Sequence, residues 1–516
     1  MDVNMEEFVD WRGRRVEEES QRNGTIAATF VCVTEALENM VFSSNATNLV
    51  TFLQSSMHYS GPAAANMVTN YMAITYLLSL FGGFVSDSFL TRFWSVMLFG
   101  TTELVGLVLL MVQNDVNSLH PGNNGRKPSV GHTAMLYVGL YTMAVGAGGV
   151  KAALPAHGAD QFEHNELQVS TYFNSFFFSL CAGGLVAVTV VVWVQENRGW
   201  EWGFAIATAA LCLALLLFSS GLPFYRHKRP GGSPFTRIFQ VLVLAYQNRN
   251  CSFALEECRN DLDPKSRNHF RVLDKAALRG CNMQQVEETK KFLRLIPIFL
   301  CTIALNCCLA QLQTLSVEQG KTMDTRITHN FKFPVASLYA IPIIFMLIAV
   351  PFFHRILGSR LSPLQRIGVG LGLASFSMAV AAIVEVKRKA AAKAAGIVDA
   401  SQGLVPMSVL WLGCQFLLLG ISDMFTLAGM LEFFYQEAPV HMRSLCTTMS
   451  WCSSALGYFL SSVLVSLSNL IGSWLPTGEW IASQNLNAGH LELFYAMLAI
   501  LNLLNFFHYI FWAKWY

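Results

Sequence analysis

Apolar runs of about 20 residues, the thickness of a bilayer's hydrocarbon core, recur along the whole chain and limit what it can fold into. In hydrocarbon only helices or closed barrels satisfy every backbone polar group. The runs here are continuous rather than alternating, which selects helices over barrel strands. Hydropathy places about twelve spans, near 27–53, 66–90, 93–113, 132–154, 169–194, 202–222, 292–317, 334–353, 364–384, 405–434, 445–471 and 491–515. The chain is 53% hydrophobic and 13% charged, against about 25% charged in a soluble domain.

A charged stretch, 226–291, divides the spans into two groups of about six. The expected organisation is a tail (1–24), a first six-helix bundle (25–222), a connector (223–291) and a second bundle (292–516). The connector is basic, with Arg226, Lys228, Arg237, Lys275, Lys290 and Lys291 among its cations. By the positive-inside rule it and both termini face the cytoplasm. The segment 387–393 breaks that rule on the outer face and reads as a helical extension. The tail mixes acids and bases, so no cleavable signal peptide is expected, and the first span serves as the insertion signal.

Composition also narrows function. A net charge of +2 gives no case for nucleic acid. The twelve cysteines are dispersed, mostly inside apolar runs, with no zinc spacing and no disulfide framework. No metal cluster, paired nucleophile and base, or nucleotide loop is visible, so neither an enzyme nor a cofactor is expected. The sequons at Asn23 and Asn45 fall on the cytoplasmic side and inside span one, where they read as chance matches. Ser233, Thr236, Ser252, Ser266 and Thr289 in the connector are hydroxyls of no assigned role.

Ionisable residues stranded in apolar runs mark solute pathways. Glu35 and Glu38 lie three residues apart, on one face of span one. Two such carboxylates form a proton-carrying pair, or an ion pair pinning span one to a neighbour. Lys151, in Gly146-Ala-Gly-Gly-Val-Lys151, is one cation beside glycines that allow close helix approach. It can pair with either glutamate, bind a substrate anion or snorkel to the interface. Asp423, in Gly420-Ile-Ser-Asp-Met-Phe425, is the acid of the second half, a gate, a second proton site or a helix–helix hydrogen bonder. Glu432 and Glu437 read as solvated or gate-closing. Gly82-Gly-Phe-Val-Ser-Asp87 with Arg92 across a tight turn reads as a latch on the inner gate. Phe42, Tyr76, Phe176 and Phe177 are aromatic candidates for the pocket, with Tyr76 the chosen substrate contact.

These pieces, with Gly158-Ala-Asp-Gln-Phe162, Phe173-Asn-Ser-Phe176, Phe270-Arg-Val-Leu-Asp-Lys-Ala276, Gln285-Val-Glu-Glu288, Arg294, Pro297, Leu361-Ser-Pro-Leu-Gln-Arg366 and Leu431-Glu-Phe-Phe-Tyr435, resemble the plant nitrate/peptide transporter family. That family is the proton-dependent oligopeptide branch of the major facilitators. The resemblance implies an all-α membrane protein with the major facilitator fold, twelve helices in two six-helix bundles, and substrate between the halves. It implies that Glu35, Glu38 and Lys151 are the coupling glutamates and their lysine, and that Asp423 is the span-ten acid.

Two departures bear on cargo. The family's Glu-x-x-Glu is followed by Arg or Lys, where this chain has Asn39, so one cation is missing and a weaker pH dependence is expected. Leu309 stands where nitrate carriers of the family have His, which disfavours nitrate. The same Glu-x-x-Glu-Asn variant resembles the subfamily that includes abscisic acid and gibberellin importers. The expectation is a multi-pass, plasma-membrane symporter for an organic monocarboxylate of the terpenoid hormone type. A nitrate, peptide or glucosinolate-like cargo, or a non-transporting hormone sensor, are the alternatives.

Overall fold

The computed structural model describes residues 8–516 except 13, 15–20, 60, 117, 120, 122–127, 163–164, 229, 231, 249–269, 277–281, 329–330, 333–337, 358–360, 398–403, 475–477, 479, 482–485 and 488. Ser252 and Ser266 lie outside the described residues.

Twelve long helices carry the architecture. The first six are α1 (Gln21–Ser55), α2 (Gly61–Ser88), α3 (Arg92–Asp115), α4 (Val130–Ala159), α5 (Glu166–Val186, continuing to Asn197) and α6 (Trp200–Ser220). The second six are α7 (Met283–Gln313), α8 (Ala340–Leu357), α9 (Pro363–Ala394), α10 (Leu412–Gln436), α11 (Arg443–Trp474) and α12 (Leu491–Trp515). Among the described residues, eleven of these helices are long and apolar enough to cross a membrane, and Ala340–Phe352 in α8 supplies a shorter apolar stretch. Large apolar side chains such as Leu216, Ile348, Phe376 and Phe507 point outward, as lipid-facing surfaces require.

Local chemistry sets several helix ends. Ser129 and His132 close a capping box at the start of α4. Ser362 and Gln365 do the same for α9, with Pro363 in its first turn. Span ten begins later than the expected 405. Val405–Ser408 is instead a short strand parallel to Met323–Asp324, and the helix proper starts at Leu412. Pro406 has no N–H to donate and disfavours a helical conformation at the residue before it, and Ser408 caps the turn that follows by accepting from the N–H of Leu410.

The basic segment 387–393 does extend α9, and three of its four cations are engaged. Arg388 is bidentate to Glu385 at 2.7 Å, Lys389 pairs with Glu492 at 2.8 Å, and Lys387 lies over the Trp411 ring. Asn45 is buried and donates to the carbonyl of Val41, so its sequon is not a glycan site. Across the two halves α2 packs on α11 and α5 on α8. The Phe8–Val9 strand pairs with His227–Lys228, tying the tail to the start of the connector.

Candidate substrate site

Lys151 sits two-thirds of the way along α4, and only 2% of it is exposed. Snorkelling to the interface is therefore excluded. Its ammonium is 3.2 Å from Glu38 Oε2, 4.3 Å from the centre of the Phe42 ring and 5.2 Å from that of Trp451. Aromatic faces at such distances attract a cation through their ring quadrupoles. Tyr76 stacks on Trp451, with centroids 5.9 Å apart and planes 7° from parallel. The indole N–H of Trp451 donates to the backbone carbonyl of Lys151 at 3.1 Å. One cation is thus clamped by α1, α2 and α11 together.

Glycine makes that approach possible. A Cβ on Gly146 would collide with the backbone of Glu103, and one on Gly149 with the Phe99 ring. The flat face of α4 lets α3 press against it.

In front of Lys151 lies a cavity of about 150 Å³, lined by Asn39, Phe42, Tyr76, Leu309, Asp423 and Trp451 among others. It adjoins a second cavity of about 290 Å³ that shares Thr47, Met72, Tyr339 and Tyr458 with it. The second is otherwise lined by residues near the helix ends remote from the connector, such as Val50, Val68 and Thr314. Phe177 is on the wall of the first cavity; Phe176 is not, being fully buried in the apolar core.

The predicted acids occupy distinct places. Glu38 contacts Lys151. Glu35 is buried behind it, and neither of its carboxylate oxygens has a hydrogen-bond partner among the described residues. Asp423 faces the cavity from α10, in electrostatic reach of Tyr76 and Cys181, and forms no hydrogen bond or ion pair among the described residues. Asn39, at the position of the missing cation, donates to the Leu180 carbonyl at 2.8 Å and so ties α1 to α5.

Two residues escaped the sequence reading. Trp451 carries no charge to mark it within an apolar run. Glu103 of α3 is completely buried behind Lys151, and its signal was available, since it is the lone charged residue of 93–113.

Asp87 and Arg92 do meet, at 3.4 Å, but the pair is not a local latch within one loop. Asp87 accepts from the backbone N–H groups of Ser444 and Leu445, at 3.3 and 2.8 Å, in the first turn of α11. A carboxylate is favoured at that end of a helix dipole. Arg92 donates to Ser444 Oγ at 2.7 Å and forms a close ion pair with Asp160. Asp160 in turn accepts from the Tyr435 hydroxyl at 2.7 Å. Arg366 pairs with Glu432 and donates to Asn174, each at 2.7 Å. Both sets cross between the bundles on the connector side. Glu437 accepts from the Tyr516 hydroxyl. Nine cysteines are free, and no group suited to a metal occurs among the described residues.

Known proteins give this geometry a context. The profile described as the POT family matches residues 93–481. Protein NRT1/PTR FAMILY 4.1 of Arabidopsis thaliana is 47% identical over the full length of both chains. Protein NRT1/PTR FAMILY 4.6 of the same plant is 42% identical, covering 99% of this chain and 97% of its own. Among solved structures, an auto-inhibited POT family peptide transporter superposes with a TM-score of 0.67 at 18% identity, over 95% of this chain and 97% of that one. A POT family transporter in complex with 5-aminolevulinic acid gives 0.62 at 14% identity, over 93% and 94%. The fold is that of the major facilitators, two bundles of six membrane helices. The chain belongs to the POT family of membrane transporters and, within it, to the NRT1/PTR group.

Proposed function

We propose that this chain is a plasma-membrane symporter that imports a small organic anion, a terpenoid monocarboxylate such as abscisic acid or gibberellin, together with protons. The observation that carries this reading is the lone ammonium of Lys151, set between Phe42 and Trp451 on the wall of a largely apolar cavity. Such a site suits one carboxylate on a bulky hydrocarbon body. The two adjoining cavities together fall in the range of about 300–1,000 Å³ usual for small-molecule sites. Leu309 on the wall offers nitrate no hydrogen bond.

The cycle follows from which contacts can coexist. In the empty carrier Glu38 neutralises Lys151. An arriving carboxylate competes for the same ammonium, and a proton on Glu38 removes that competition. Proton binding and anion binding thereby favour one another. Meanwhile Asp87, Arg92, Asp160 and Tyr435 hold the connector side closed, and the cavities extend toward the other face. This arrangement supports an outward-facing state. Release inward requires that lock to part, with the bundles rocking about the site.

Asp423 favours one second reading. A carboxylate without a partner on the cavity wall can take an ammonium, so a zwitterion with its carboxylate on Lys151 would also satisfy both charges. Radiolabelled uptake in a heterologous cell, across abscisic acid, gibberellin, nitrate and dipeptides at two pH values, decides between cargoes. Saturable hormone uptake that nitrate and dipeptide fail to compete supports the first reading. Uptake of dipeptide alone overturns it.

A further inference from the structure

Glu103 is the strongest unexplained group in the molecule. Its side chain is completely buried in the membrane interior, and neither carboxylate oxygen has a hydrogen-bond partner among the described residues. The interface that holds it is tight, because the backbone of Glu103 fills the space where Gly146 has no side chain. Structure alone gives no reason for an acid here; leucine or methionine would fill the site without a polar group to satisfy.

The surroundings say what the acid can do. From α4, Lys151 reaches it electrostatically; from α1, Glu38 and Glu35 do; from α2, Tyr71 does. The Tyr71 hydroxyl is itself buried and meets no hydrogen-bond geometry with a partner among the described residues. From α6, packed on the other side of α3, Cys212 is the one titratable group between Trp202 and Ser220. His227 meets α3 only at its connector end, against Phe93. Among the described residues Lys151 is therefore the one cation facing these three buried carboxylates, and its ammonium is already within reach of Glu38. Isolated carboxylates do not stay ionised in a medium of low dielectric; they take up a proton.

We propose that Glu103 holds a proton in this state and is a third proton-carrying carboxylate of the transport cycle, behind Lys151 and Glu38. When substrate draws Lys151 away from Glu38, the proton can be shared among Glu103, Glu38 and Glu35, with Tyr71 as a neighbouring hydroxyl. No bond other than O–H is made or broken, and the proton comes from the aqueous side from which substrate enters.

The use of the proton rests on the transport reading; its presence on Glu103 does not, and is measured without substrate. Infrared difference spectra of the purified full chain in nanodiscs, between neutral and alkaline pH, report the carbonyl stretch of protonated carboxylic acids. The wild type should show such a band, and E103Q should lose part of it, while the remainder, from acids such as Glu35 that also lack an ion-pair partner among the described residues, stays. Uptake by E103Q in proteoliposomes should lose at least half of its response to a tenfold change in proton concentration. Should E103Q not fold, E103D keeps the acid and should displace the band. An E103Q or E103D spectrum identical to wild type overturns the proposal, whichever substrate the carrier takes. An altered spectrum with an unchanged pH profile overturns the assignment to transport.

Discussion

Trp451 of the second bundle donates its indole N–H to the backbone carbonyl of Lys151 in the first, 3.1 Å away. The same indole offers its face to the Lys151 ammonium and stacks on Tyr76. A single side chain thus links the charge of the site to the relative position of the bundles. W451F keeps most of the apolar body and loses the N–H. A neutral hydrogen bond contributes about 0.5–1.5 kcal/mol, so W451F should reach the membrane normally and bind substrate up to about tenfold more weakly. Equilibrium binding by scintillation proximity checks this. Affinity equal to wild type would mean that the bond does not position Lys151.

Removing the ammonium has a larger consequence. Breaking a buried ion pair by deleting one partner costs about 3–5 kcal/mol when the other charge stays ionised. Glu38 escapes most of that cost by taking a proton. K151A is therefore expected to appear at the cell surface in near-normal amount and to show no saturable uptake. Surface biotinylation and uptake, measured on the same cells, test both halves. Normal uptake removes Lys151 from the mechanism.

What was legible in the sequence divides along a physical line. The length and hydropathy of a run are local properties, so the number and order of the helices could be read directly. The types of residue at the site were legible for the same reason, because a charge inside an apolar run is costly wherever the run packs. Partnerships were not legible, since they depend on how helices are rotated against one another. Lys151 had two candidate glutamates, and only the packing of α1 on α4 selects Glu38. Asp87 and Arg92 read as a local pair, whereas their other partners, Ser444 and Asp160, come from distant parts of the chain. Trp451 carried no signal at all, and Glu103 carried one that only its burial makes meaningful.

The lock on the connector side should set the balance between outward-facing and inward-facing forms. Tyr435 and Asp160 join α10 to the end of α4 through one hydrogen bond of 2.7 Å. Y435F deletes the donor and leaves Asp160 with Arg92. Hydrogen bonds to charged groups contribute about 1.5–3 kcal/mol, so the ratio of closed to open forms should fall by roughly tenfold or more. Spin labels on the connector-side ends of α5 and α10 should then show a longer mean separation by pulsed electron resonance. An unchanged distance distribution would assign the closure to Asp87 and Arg366 instead.

The α3–α4 interface gives a prediction about stability alone. A Cβ at Gly149 would fall on the Phe99 ring, and Phe99 is itself buried. Overpacking of this kind costs about 1–3 kcal/mol. G149A is expected to melt several degrees lower in detergent, while G131A, where an added Cβ would meet only Ser129 Oγ at an ordinary contact distance of 3.8 Å, should not. Equal melting temperatures for the two variants would show that α3 can move away from α4 without penalty.

Asp423 separates the two cargo classes most cleanly. It lines the same cavity as Lys151, an acid with no hydrogen bond or ion pair among the described residues. If the substrate is a monocarboxylate, Asp423 contributes nothing attractive to it, and its ionised form repels the same anion that Lys151 attracts. D423N should then retain substrate binding or improve it, because a neutral amide replaces a repelling carboxylate. If the substrate is a zwitterion, Asp423 is the partner of its ammonium, and D423N should lose binding by about tenfold or more, the range of a charge-assisted hydrogen bond of about 1.5–3 kcal/mol. The direction of the change in affinity therefore identifies the class of cargo even before the compound is known. The measurement is competition against a labelled hormone and a labelled dipeptide on D423N and wild type side by side. Weaker hormone binding by D423N contradicts the monocarboxylate reading, because a group that only repels the substrate cannot strengthen its binding.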